Sequence, residues 1–380
     1  MKIKDVESLL VRSHCHLVRI TTDDGLSGIG EAGFWGYPEA TEGALKRIRE
    51  YLIGKDPLKI DYHWQYIYRN NHHRGGALNA ALSAVDIALW DIAGKHFGAP
   101  AWQLLGGKCR EKIRAYMHVR GTNVEEVVKS AEKAVRDGFT AVRFGPLRGS
   151  EKYGYSELIK SQANLMGAVR DAVGDAVDLC FDVHNRFSPM EAISFCKEVE
   201  KYLPLFVEDP IKQDSAERIA TVAAGTTIPI ATGERLHNIF EFRELLLWKA
   251  CKLIRPDLCI CGGLTQSKKI AALAEAFQVG VVPHNPLSPI STAVCVQLDA
   301  CIPNAILQEY TGEGTAIGFG TDMRRVVKSP VKLENGYLVV PDAPGIGVEI
   351  DEEAVREGVR TYKLAAIETP VHADGSVADS

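Results

Sequence analysis

Three acidic residues stand 26 residues apart, each closing a short apolar run: Asp182 in Leu179-Cys-Phe-Asp-Val-His184, Glu208 in Leu205-Phe-Val-Glu-Asp-Pro210, and Glu234 in Ile228-Pro-Ile-Ala-Thr-Gly-Glu-Arg235. Short buried strands repeating at about one strand-plus-helix unit are the sequence pattern of a parallel α/β barrel. Acids at the mouths of three consecutive strands converge on one point. Carboxylates that close repel one another unless a cation lies between them, and hard oxygen ligands in that number suit Mg²⁺. The spacing therefore predicts a Mg²⁺ site with Asp182, Glu208 and Glu234 as ligands, together with the barrel that carries it.

The elements that must position these acids follow from pattern. Candidate barrel strands are Arg114–His118, Ala141–Phe144, Leu179–Asp182, Leu205–Glu208, Ile228–Ala231, Lys252–Arg255, Gly280–Pro283 and Ala305–Gln308, the eight needed for closure. Ser188-Pro-Met-Glu191 is a capping box that opens one of the intervening helices. Residues 1–112 do not follow the barrel rhythm. His16–Thr22 and Leu26–Ala32 read as a hairpin about Asp23-Asp-Gly25, Gly33–Pro38 as a lid loop, and Ala77–Phe97 as a long helix. After about residue 325 the rhythm is lost again. Gly336–Val340 and Gly347–Ile350 read as short strands, and 370–380 as a loosely held tail.

At 380 residues the chain suits a barrel plus a second unit. A net charge of −5 argues against a nucleic-acid-binding surface. No apolar run is long enough for a membrane span, and the first residues do not read as a signal peptide. Nine cysteines, an odd number, form no complete disulfide framework. They read as reduced thiols in a cytoplasmic protein. No Gly-rich phosphate loop follows the first strand, so nucleotide use is not expected.

Functional residues of such barrels sit at the C-terminal ends of strands. From the second strand to the eighth these ends carry Arg143, Asp182 with His184, Glu208, Glu234, Asp257, His284 and Glu309. Burying that many charges without partners is costly, so a purely structural barrel has no use for them. The set resembles the enolase superfamily, in its mandelate racemase-like branch, and is most similar to the acid-sugar dehydratases that act on galactonate or mannonate. Besides the three acidic segments, the resemblance rests on Thr22–Ala32, Ser83–Lys95, Leu104–Gly107, Arg255-Pro-Asp257 with Gly262–Thr265, Pro283–Pro286, Gln308-Glu309 and Pro344–Ile350. It implies a modified (β/α)₇β barrel over residues 113–325. It also implies an α+β capping domain built from 1–112 and completed by 326–380, and a homo-oligomer between dimer and octamer.

The resemblance implies proton abstraction next to a carboxylate, and the residues support that chemistry. Such a proton is very weakly acidic. Its removal leaves an enediolate whose charge a divalent metal can stabilise as it develops. His284 is the candidate base, with Asp257 holding one ring nitrogen and fixing the tautomer. His184 lies two residues after Asp182, a spacing that shares one face of a strand. It is expected to donate a proton to a leaving C3 hydroxyl. Glu309 is expected to hydrogen-bond the substrate carboxylate or the enediolate, in a protonated or bridged state.

Arg143 stands where racemases of this branch carry Lys-x-Lys. A guanidinium is a poor base, so Arg143 is expected to bind substrate, with Tyr153 or Tyr155 as possible loop partners. Trp35, Arg235 and His237 are further candidates for substrate contact. The resulting expectation is a hydro-lyase that converts an aldonate (galactonate, mannonate or gluconate) into a 2-keto-3-deoxy acid. The alternatives are an epimerase or cycloisomerase using His284 alone, and a metal-binding paralogue of negligible turnover.

Overall fold

A computed structural model describes residues 1–12, 15–34, 36–312, 323–363 and 370–379. Trp35 lies outside the described residues. The chain opens with an antiparallel sheet of β1 (Ile3–Arg12), β2 (Cys15–Thr22) and β3 (Ser27–Ala32), in that order. The hairpin expected at Asp23-Asp-Gly25 joins β2 to β3, with Gly25 at φ 91°. β1 escapes a period-2 reading because its register against β2 shifts near both ends, so its buried positions do not alternate.

Helices α1 (Pro38–Leu52) and α3 (Gly76–Phe97) cover the sheet, α2 (Ile60–Asn70) packs on α3, and α4 (Ala101–Leu104) leads toward the barrel. By length and composition α3 could cross a membrane, but most of it is buried inside the protein. It touches the sheet closely because β3 carries glycine on that face. A Cβ at Gly28 would stand 2.1 Å from the Ala88 carbonyl oxygen, and one at Gly30 2.0 Å from that of Ala84.

The barrel then runs β4 (Lys112–His118), α5 (Val124–Arg136), β5 (Ala141–Phe144), α6 (Tyr155–Val173), β6 (Asp178–Asp182), α7 (Pro189–Val199), β7 (Phe206–Glu208) and α8 (Ala216–Ala224). It continues with β8 (Ile230–Thr232), α9 (Ile239–Leu247), β9 (Leu253–Ile254), α10 (Gly263–Ala276), β10 (Gly280–Val281), α11 (Pro289–Ala300) and β11 (Gln308–Tyr310). Parallel ladders join neighbours from β4 to β10, β11 pairs with β4, and a Val281–Ala305 bridge closes the ring. This is the expected (β/α)₇β order. The capping box of Ser188 and Glu191 opens α7. The last strand begins three residues later than expected, so Glu309 lies within it rather than beyond it.

The barrel interior is filled by Tyr116, Ala141, Cys180, Phe206, Ala231, Leu253, Val282 and Leu307, one from each strand run. Beyond the barrel, β12 (Leu333–Glu334) and β13 (Tyr337–Val339) form a hairpin that extends β4 antiparallel. The segment Gly347–Ile350, expected as a strand, makes only a single bridge from Ile350 to Val327. Helix α12 (Glu352–Thr361) lies against β1, with Glu352 paired to Arg19 at 2.9 Å.

The tail is tied down, contrary to expectation. Val371 bridges Val377, the His372 Nδ1 lies 2.8 Å from the Glu151 carbonyl oxygen, Asp379 pairs with Lys212 at 2.9 Å, and Ala378 is buried. Glu151 follows β5 and Lys212 follows β7, so the tail straps two loops of the barrel mouth.

The glycine contact between β3 and α3 is against backbone, which cannot turn aside. Gly30→Ala should therefore cost about 1–3 kcal/mol by overpacking, read as a lowered urea midpoint at unchanged slope. A midpoint equal to wild type would mean that the sheet and helix can separate freely.

Candidate active site

Strand alternation places most of this site. Two residues beyond each member of the apolar layer, on the same strand face, come His118, Arg143, Asp182, Glu208, Gly233, Arg255, His284 and Glu309. The polar layer is thus the next storey of the barrel core. Glu234 is the exception among the three acids. Gly233 occupies its alternation position at φ 130°, and this left-handed turn brings in the following residue.

Arg255 is fully buried in this polar layer. Its Nε lies 2.5 Å from Glu208 Oε1 and its Nη2 2.5 Å from Glu309 Oε2. Glu309 also meets His118 Nε2 at 2.7 Å and accepts from the Asn285 backbone N–H at 2.8 Å. Burial alone would raise the Glu309 carboxyl. The charges of Arg255 and His284 and the His118 hydrogen bond outweigh it and hold it well below the usual range. Of the two expected states, Glu309 is therefore ionised and bridged. Burial, reinforced by the Arg143 charge, pushes His118 down to about 3. His118 is thus neutral, donating from Nε2 to Glu309 and accepting at Nδ1 from Arg120 at 3.3 Å.

The carboxylates of Glu208, Asp209 and Glu234 each offer an oxygen within 4.8 Å of the others. The expected ligand Asp182 is outside this group. One of its oxygens accepts from the His184 backbone N–H at 2.7 Å, and the other is ion-paired with the Arg143 guanidinium. Arg143 also reaches toward Glu208, 3.9 Å away. Glu208 Oε1 meets only Arg255 and Glu234 Oε2 only His284 among nearby cations, and Glu208 Oε2 is buried without a hydrogen bond. Burial, against Arg255 and Arg143, raises Glu208. Burial with the neighbouring Glu234 and Glu208 charges raises Asp209 well above the ordinary value. Hard, crowded, buried carboxylate oxygens of this kind suit a divalent cation.

Asp257 and His284 face each other across a parallel bridge, with His284 Nδ1 2.9 Å from Asp257 Oδ2. The other ring nitrogen is 3.3 Å from Glu234 Oε2. Burial would lower the His284 pKa, but Glu234, Glu309 and Asp257 raise it to about 9. Glu234, opposed by burial, is held down at about 2 by His284, His184 and Arg255.

His184 reaches the site by a different route from the one expected. β6 ends at Asp182, and His184 and Asn185 take left-handed conformations (φ 56° and 62°), so a shared strand face does not apply. Burial outweighs the Glu234 charge and pushes His184 down to about 4, leaving Nδ1 buried without a partner. Arg235 lies 3.8 Å from Glu234. With the Asn185 carboxamide oriented to satisfy both neighbours, its oxygen accepts from Arg235 Nη2 at 2.8 Å. His237 is drawn instead to Glu241 of α9, 3.7 Å away. Tyr155 donates to Ser194 and Tyr153 is exposed, so neither is seen to meet Arg143.

Sequence reasoning passed over Arg255, His118 and Asp209. Arg255 and His118 follow Leu253 and Tyr116 at the inward spacing of two, a signal that was present. Asp209 carried none, because its inward turn depends on a left-handed backbone (φ 39°) that a non-glycine residue seldom takes. Removing the charge in Arg255→Met leaves two buried carboxylates uncompensated. Chemical denaturation should show a loss of about 3–5 kcal/mol. A loss under about 1 kcal/mol would mean that these carboxylates find other partners.

Comparison with known proteins agrees with this architecture. Residues 10–106 match the mandelate racemase / muconate lactonizing enzyme N-terminal domain, and residues 126–354 match the enolase C-terminal domain-like family. D-galactonate dehydratases of Cronobacter sakazakii and Verminephrobacter eiseniae are 39% and 38% identical, with all of each chain covered. A solved enolase-family structure from Agrobacterium radiobacter, a candidate galactarate dehydratase bound to sodium and L-malate, superposes with a TM-score of 0.93 at 33% identity over all of both chains. A candidate dehydratase from Salmonella enterica superposes at 0.88 and 33%, covering 94% of this chain and 98% of its own. The chain belongs to the mandelate racemase / muconate lactonizing enzyme family of the enolase superfamily and is a dehydratase.

Proposed function

We propose that the substrate is an aldonate such as galactonate, mannonate or gluconate, that the metal is Mg²⁺, and that the product is a 2-keto-3-deoxy acid. The observation that carries this reading is the Asp257–His284 pair, whose second ring nitrogen faces Glu234 in the cluster of crowded buried carboxylates. The dehydratase names of the full-length relatives support the substrate class.

Glu208 and Glu234 would hold the cation, joined by Asp182 or Asp209. When bound, a divalent cation stabilises negative charge developing on the substrate's carboxylate oxygens. His284 must first lose the proton that its carboxylate neighbours favour; it then takes the C2 proton at the ring nitrogen that faces Glu234, while Asp257 fixes the tautomer and supports the imidazolium that results. The raised pKa of His284 reflects surroundings that favour that protonated form. His184 presents an unpartnered ring nitrogen; protonated there from solvent, it gives that proton to the C3 oxygen as the C3–O bond breaks, so that the hydroxyl leaves as water and the ring returns to its neutral form. The enol so formed tautomerises to the keto acid. Arg143 and Arg235 lie beside the carboxylates and supply cationic donors for the substrate's oxygens.

Incubation with a panel of sugar acids and Mg²⁺ should yield a keto acid that reacts with semicarbazide. An epimer in its place would overturn the dehydration reading. His284→Asn should abolish both turnover and solvent deuterium exchange at C2, whereas His184→Asn should abolish turnover and retain exchange. Loss of exchange in both variants would mean that His184 does not act on the leaving group alone. Exhaustive chelation should remove activity and added Mg²⁺ should restore it. Full activity after chelation would count against a metal in the carboxylate cradle.

A further inference from the structure

The end of β3 carries a buried acid that the mechanism does not use. Glu31 is fully buried, although it belongs to the N-terminal sheet. Its Oε2 accepts from the Ser288 hydroxyl at 2.6 Å and the Ser291 backbone N–H at 3.1 Å, and its Oε1 from the Ser288 backbone N–H at 3.3 Å. Ser288 is the N-cap of α11, so a carboxylate from one domain occupies the positive end of a helix in the other. Four residues upstream of Ser288 is His284.

Two positions along β3's path, Gly33 donates its backbone N–H to the Cys259 carbonyl at 2.9 Å. A Cβ on Gly33 would stand 3.2 Å from Asp257 Oδ1 and 3.0 Å from Cys259 Cβ. The same Asp257 Oδ1 accepts from the Cys259 N–H at 2.8 Å. One short stretch of the N-terminal sheet therefore grips both segments that carry the Asp257–His284 pair, one through the Glu31 carboxylate and the other through the Gly33 backbone.

We propose that Glu31 is a positioning residue for the Asp257–His284 pair, fixing the segment from His284 to Ser288 so that the imidazole stays in line with Asp257. The segment is tethered at His284 by its N–H to the Pro256 carbonyl (3.1 Å), at Asn285 by Glu309, and at Ser288 by Glu31. Glu31 is the tether that comes from outside the barrel. It makes the alignment of the base depend on seating of the N-terminal domain, and a misplacement of about 1 Å at a reacting group can cost 10²-fold in rate. The proposal rests on the assignment of His284 as base.

The experiment compares Glu31→Ala and Glu31→Gln with wild type, using whichever sugar acid is turned over, and places Glu31→Ala in an Asp257→Asn background. Gln keeps the volume and one acceptor, which guards against a variant that fails to fold; thermal melting reports folding for each. Both variants should lower kcat by about tenfold or more with KM altered less than about twofold, Gln less severely than Ala. Glu31→Ala should add little to the loss already caused by Asp257→Asn, because both act through one imidazole. In protein labelled with ¹⁵N-histidine, the Nδ1–H signal of His284 should shift in Glu31→Ala.

Folded Glu31 variants with unchanged kcat would overturn the proposal. So would losses that multiply with Asp257→Asn while the His284 signal stays in place, since a merely structural role predicts that. His284→Asn serves as the separating control. If it turns over substrate normally, the base assignment fails and the proposal falls with it. If it is inactive while the Glu31 variants are normal, only the positioning role fails.

Discussion

A single guanidinium, that of Arg255, stands between two carboxylates at the top of the apolar barrel core. It reaches Glu208 and Glu309 at 2.5 Å each and is wholly shielded from water. Desolvating these three charges costs several kcal/mol apiece, and only close pairing offsets it. The geometry that pairs them also fixes where each carboxylate points. Glu208 is turned toward Asp209 and Glu234, and Glu309 toward His118 and the Asn285 N–H. The ring of charged groups is thus organised from its centre outward.

The balance of charge about that centre explains the protonation states around it. Glu309 is ionised because cations face it, whereas His118 and His184 are kept neutral chiefly by burial. His284 alone among these imidazoles favours the charged form, because three carboxylates outweigh its burial. Three histidines in one barrel mouth therefore divide into one imidazolium and two neutral hydrogen-bonding groups. The division comes from their neighbours rather than from residue type.

The barrel was legible in the sequence because its strands are short apolar runs and its helices are well capped. The acids, His284 and Asp257 were legible because they end those runs. What remained hidden depends on backbone turns and distant partners. Asp182 and Glu208 obey strand alternation, but Glu234 reaches the site through the left-handed turn at Gly233, so the equal 26-residue spacing joins acids that arrive by different routes. His184 was assigned to a strand face, although its backbone leaves the strand two residues earlier. Glu31 carried no local signal at all, since its partners lie 257 and 260 residues further along the chain.

The strap made by the last described residues has a consequence for how the protein is handled. Asp379 is pinned to Lys212 on the loop that follows β7, and His372 is pinned to the loop after β5. Any polypeptide joined beyond that point sets out from the rim of the barrel beside the loops after β5 and β7. An affinity tag at that end therefore crowds these two loops, whereas one attached before Met1 begins beside Asp23 in the turn of the sheet hairpin. The choice of terminus for immobilisation is set by the fold.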